Sequence, residues 1–134
     1  MIKSLEKIAT KHEIKVLLTT SGFWNENILQ NAATLNKSLD LHKKLWEIIQ
    51  EYFSSSEILE MINYCDSEAN NILHQAVFWN SKEIIDLTWN QIKKIINKKE
   101  VQAEYLRRKG HRSHDLLELS EENQSKDPEV KNWV

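Results

Sequence analysis

The sequence predicts an all-α protein, an α-solenoid of about three stacked helical units of 43–44 residues each. Three observations predict it. The 134 residues include only 2 Gly and 1 Pro, so little interrupts long helices. The segment Asn27-Ile28-Leu29-Gln30-Asn31-Ala32-Ala33 returns 44 residues later as Asn71-Ile72-Leu73-His74-Gln75-Ala76-Val77. Between these copies, apolar residues recur at three- and four-residue spacing, the period of a helix with one buried face.

Each unit reads as three helices. Ile72, Leu73, Ala76 and Val77 fall on one stripe, and the following Asn80 tolerates a left-handed turn, so a first short helix is expected to stop there. Ile84, Ile85, Leu87, Thr88, Ile92, Ile95 and Ile96 then mark a longer second helix. Leu41, Leu45, Ile48, Ile49, Tyr52 and Phe53 do the same one unit earlier. Ser54-Ser55-Ser56-Glu57 offers N-cap oxygens before Ile58, Leu59, Met61 and Ile62, which predicts a third short helix around Ser56 to Tyr64. A weaker third copy of the first motif is His114-Asp115-Leu116-Leu117-Glu118-Leu119-Ser120. Trp46, Trp89 and Trp133 recur at spacings of 43 and 44, as core or inter-unit packing.

A chain of 134 residues buries roughly 68% of its unfolded surface, so residues 1–134 read as one domain. Its units run approximately over 2–45, 46–88 and 89–132. Both ends fall at the same point of a second helix without the polar outer face of a capping unit. The expectation is a piece of a longer array, or a chain that associates with its own copies through uncapped ends.

Composition excludes several function classes. The net charge of −2 supplies no global positive field for a phosphate backbone, so nucleic acid is not the expected partner. Cys65 is the only cysteine, which rules out an intrachain disulfide, suits a reduced cytoplasmic compartment and reads as a small buried apolar residue. No run of eighteen apolar residues exists and the N-terminal residues are regularly charged, so neither membrane span nor signal peptide is expected. His111, His114 and Asp115 lack the second ligand pair of a zinc site, and Glu118, Glu121 and Glu122 lie in a polar helix without a pocket. With no Ser, His and acid arrangement, Gly-rich phosphate loop or nucleophilic Cys motif, the chain is read as a non-enzyme without metal or cofactor.

The middle unit, Asn71-Ile72-Leu73-His74-Gln75-Ala76, then Phe78-Trp79, Asn80-Ser81 and Lys82-Glu83-Ile84-Ile85-Asp86-Leu87-Thr88, resembles the ankyrin repeat family. The family pattern is Thr-Pro-Leu-His-x-Ala, two variable residues, a Gly-His turn and Leu-Glu-Ile-Val-x-Leu-Leu. This chain has Asn or Gln in place of the turn Gly, and a period longer than the family's roughly 33 residues by about ten. The resemblance implies a non-enzymatic protein–protein interaction scaffold whose partner is another protein. It implies that His74 braces adjacent units through loop backbone. It also implies that contact residues precede each Asn-Ile-Leu core and fill the variable pair: Phe23, Trp24 and Glu26, then Ser67, Glu68, Asn70, Phe78 and Trp79, then His111, Arg112 and His114. Extra packing is the other use open to the Phe-Trp pairs. The period also suits a HEAT or armadillo array, in which the basic loop 107–114 would hold nucleic acid or phosphate.

Overall fold

The computed structural model describes residues 27–35, 38–110, 113–125 and 127–133, and all the regular elements among them are helices. In chain order these are α1 (Ile28–Leu35), α2 (Leu39–Tyr52), α3 (Ser55–Asn63), α4 (Ile72–Trp79), α5 (Lys82–Ile95), α6 (Lys99–Arg107), α7 (Leu116–Glu121) and α8 (Glu129–Trp133). The starts of α1, α4 and α7 are 44 residues apart, α3 and α6 are likewise 44 apart, and α2 and α5 are 43 apart. The sequence period is therefore the spacing of the helices.

Side-chain caps place most of the starts. Ser54 accepts from the Glu57 N–H while the Glu57 carboxylate accepts from the Ser54 N–H, so two orphan donors of α3 are satisfied at once. Asn71 with His74 and Asp115 with Glu118 build the same reciprocal cap on α4 and α7. Asn27 and Gln30 exchange equivalent bonds at 2.9 and 3.1 Å before α1. These caps correct the register of the third copy: Asp115, not His114, is the counterpart of Asn71. Two adjacent polar residues made the sequence ambiguous there, and only the cap distinguishes them. Ser81 makes no side-chain cap to α5; instead the Lys82 N–H donates to Asp127 Oδ2 at 3.0 Å, from the unit that follows.

The first helices pack in a row, α1 against α4 and α4 against α7, and the second helices form another row, α2 against α5 and α5 against α8. Caught between α1, α7 and the underlying α5, helix α4 buries every residue from Ile72 to Val77. Such a helix is apolar nearly all round for that reason. Leu29 and Leu73 occupy equivalent places and are each 1% exposed. Ile49, Ile62, Ile85 and Ile92 are wholly buried below them, each contributing about 1.5–3 kcal/mol relative to an exposed side chain. Trp46 is buried, whereas Trp89 and Trp133 meet edge to face at 6.5 Å, and the Trp133 indole N–H donates to Asp86 at 2.7 Å.

Two residues serve differently from the sequence reading. Asn80 has φ −119° and ψ 173°, an extended residue rather than a left-handed one. Its amide reaches back instead to the Ala33 carbonyl of the preceding unit. Asn123 repeats the reach one unit later, donating to the Val77 carbonyl at 2.7 Å and the Asn80 carbonyl at 2.9 Å. Cys65 is exposed rather than buried, because it lies on the connection after α3, where its thiol donates to the Asn63 carbonyl at 3.7 Å. Partial burial still raises its pKa, against the lowering effect of Arg108, and so keeps the thiol protonated.

Candidate functional site

The connections from α3 to α4 and from α6 to α7 share two backbone hydrogen bonds and one left-handed residue among the described residues. In the first, the Asp66 N–H donates to the Asn70 carbonyl at 3.0 Å and the Ala69 N–H to the Asp66 carbonyl at 3.1 Å. In the second, the Gly110 N–H donates to the His114 carbonyl and the Ser113 N–H to the Gly110 carbonyl, both at 2.9 Å. Each loop turns on a left-handed residue, Ala69 at φ 64° and Ser113 at φ 59°. A side chain with Cβ in that region costs of order 1–2 kcal/mol, so the surrounding bonds must hold it. Asp66 supplies three of them: Oδ1 accepts from the Glu68 and Asn70 N–H groups at 2.8 and 3.0 Å, and Oδ2 from the Gln75 amide at 2.6 Å.

The second loop has Gly110 at the place of Asp66 and is held by contact instead. A Cβ on Gly110 would stand 2.2 Å from Asn70 Oδ1 and 3.0 Å from His74 Cγ, so only glycine lets the two loops stack this closely. His74 ties the stack together. The Asn71 N–H donates to His74 Nδ1 at 3.0 Å, which leaves the proton on Nε2, 2.9 Å from the Arg108 carbonyl. Gln30, at the equivalent place one unit earlier, accepts from Asn27 through Oε1 and donates through Nε2 to the carbonyls of Tyr64 and Asn70 at 3.2 and 2.8 Å. Tyr64 and Arg108 are themselves 44 residues apart, so one brace is made by two different side chains.

Of the residues expected at a contact surface, Ser67 is exposed at the first loop tip, and Glu68 and Asn70 are half-buried beside it. Asn70 packs against Gly110 of the next loop, and half-buried His114 closes that loop through its carbonyl. Phe78 and Trp79 sit at the opposite end of α4, about 12 Å along the helix, so the expected single face is divided between its two ends. Their rings meet edge to face at 5.0 Å. Phe78 is half-buried against the core and Trp79 is 37% exposed, so the pair divides between packing and surface. Phe23, Trp24, Glu26, His111 and Arg112 lie outside the described residues.

The basic run is partly neutralised. Arg108 donates to both oxygens of Glu104 at 2.9 and 3.0 Å and to Asn63 Oδ1 at 2.7 Å, while Arg107 is the last residue of α6. Near it, an apolar groove of about 550 Å³ is lined by Trp89, Trp133, Leu106, Leu116 and Leu117 with Arg107, Lys109 and Asp115. Sequence reading missed this groove; its signal was Leu117, an apolar residue at the place of buried Leu73, yet 50% exposed. It also missed the loop framework, although Gly22, Asp66 and Gly110 stand at the same 44-residue spacing. Among the described residues no three His, Cys, Asp or Glu side chains are grouped to hold a metal ion, and no helix is long and apolar enough to cross a membrane. Comparison with family models, curated proteins and solved structures found no match for this chain.

Proposed function

We propose that the chain is a non-enzymatic protein-binding scaffold, a cytoplasmic α-solenoid of ankyrin-like units whose partner is another protein. One observation carries this reading: two loops 44 residues apart share their backbone bonds and their left-handed residue while their tips differ. Ser67 and Glu68 stand in the first loop where the sequence has His111 and Arg112 in the second. A constant frame under changeable tips suits recognition, in which a few anchors carry most of the binding energy. Catalysis would need instead a fixed set of reacting groups.

The test begins with a partner captured on the full chain and identified, and then compares variants. Trp79→Ala is expected to weaken that complex by about 2 kcal/mol, roughly thirtyfold, and to leave the melting midpoint nearly unchanged. Phe78→Ala, which removes a ring from the core, should instead cost about 3 kcal/mol of folding stability. If Trp79→Ala lowers stability as Phe78→Ala does and partner affinity does not change, the contact role of Trp79 is wrong. Partner affinity that is also unchanged by Ser67→Arg and Glu68→Arg would remove the loop surface.

A further inference from the structure

Two joints between units are built alike but closed by different chemistry. At the first, buried Gln30 accepts from the Asn27 N–H at 3.1 Å through Oε1 and donates from Nε2 to the Tyr64 and Asn70 carbonyls of the following loop. At the second, buried His74 accepts from the Asn71 N–H at 3.0 Å through Nδ1 and donates from Nε2 to the Arg108 carbonyl at 2.9 Å. A carboxamide keeps its acceptor and its donor at every ordinary pH. An imidazole keeps both only while neutral, because a second proton turns Nδ1 into a donor. Two N–H groups then face each other at the start of α4, and the ring must leave its seat. The same ring is the floor beneath Gly110: a Cβ there would stand 3.0 Å from His74 Cγ and 3.1 Å from Nδ1. Its departure therefore frees the Arg108 carbonyl and the backbone of the α6–α7 loop together.

We propose that the joint between α4 and the α6–α7 loop is an acid-sensitive latch, shut by neutral His74 and opened when the ring gains a proton, while the Gln30 joint stays shut. The surroundings of the ring agree with this. Burial lowers its pKa; the bond to the Arg108 carbonyl and the Asp66 carboxylate raise it, and the Arg108 guanidinium lowers it again, for a net fall. With the shut pKa below the ordinary 6.5, the open loop takes the proton first, so acid favours opening. Other charges facing this joint are committed elsewhere or solvated. Helix α1 carries none, Glu104 pairs with Arg108, and Asp115 and Glu118 of α7 bond to each other's backbone. On α5, Lys82 pairs with Asp86 while Glu83, Lys93 and Lys94 are exposed. Tyr105 and Cys65, both raised by burial, stay protonated. The latch needs no partner and stands apart from the scaffold reading.

The test follows backbone amides of the full chain by hydrogen exchange as the pH is lowered from about 7.5 to about 5. Protection, taken relative to the unstructured rate at each pH, should fall at Asn71 and Gly110 by up to about tenfold per pH unit below about 6.5. It should hold at Asn27 of the other joint and at Ile85 and Ile92 in the core. His74→Gln, which installs the chemistry of Gln30, should abolish the fall. A fall that persists in His74→Gln assigns the opening to another group and overturns the latch. An equal fall at Asn27, or one matched at Ile85 and Ile92, shows loosening of the whole chain and overturns it as well, as does protection at Asn71 and Gly110 that does not change. Should His74→Gln fail to fold, the contrast between Asn71 and Asn27 in the native chain decides alone.

Discussion

His74 is held in one protonation state by its neighbours. Its Nδ1 must accept from Asn71 while Nε2 donates to Arg108, and an imidazolium, which has no acceptor, cannot do both. Burial lowers its pKa below the ordinary 6.5, outweighing the Arg108 carbonyl and Asp66, which raise it. A histidine with a depressed folded pKa stabilises fully above its unfolded value. As pH falls below about 6.5 the unfolded chain gains a proton that the folded chain resists, and this stability is lost. Gln30 makes the neutral version of the same brace. Denaturant midpoints at about pH 5 and about pH 7.5 should therefore show that His74→Gln flattens part of the acid loss at small cost, while His74→Ala costs about 2–3 kcal/mol at pH 7.5 and less at pH 5. An unchanged pH slope in His74→Gln would show that the imidazole is not the group responsible.

At the scale of elements, the two loops show where sequence reading succeeds and where it stops. The helix stripes, the Ser54 cap and the equivalent burial of Leu29 and Leu73 followed from residue type and spacing, because apolar periodicity and capping are local. The left-handed turns were hidden: Ala69 and Ser113 are poor residues for that conformation and reach it only through bonds from elsewhere in the loop. Cys65 and the side-chain reach of Asn80 were hidden too, since both depend on neighbours far along the chain. Gly110 carries the packing of loop on loop. Gly110→Ala is expected to cost about 1–3 kcal/mol, because the contact is with both Asn70 and the ring of His74. Thermal unfolding of Gly110→Ala beside Asn70→Ala/Gly110→Ala checks this, since removing Asn70 Oδ1 should restore part of the loss.

At the scale of the molecule, each unit grips its neighbours through asparagine as well as through apolar burial. Asn80 holds α1 by the Ala33 carbonyl, and Asn123 holds α4 by the Val77 carbonyl. Removing a buried donor leaves its carbonyl partner unpaired, at a cost of about 1–3 kcal/mol. Asn80→Ala should lower the stability of the chain by that amount and raise hydrogen exchange in α1 more than in α7. Uniform exchange along the chain would mean that the units do not separate at this joint.

Four residues described above depend on ties to the unit that follows, which bears on how the chain is made. Gln30 waits for Tyr64 and Asn70, His74 for Arg108, Lys82 for Asp127, and Asp86 for Trp133. Each is completed by residues that follow it. During synthesis, when the N-terminal part leaves the ribosome first, a unit emerges with its braces open and closes only after about 34 to 47 further residues have been added. Maturation of the protein is therefore vectorial, with the first and second units provisional until the unit after each arrives.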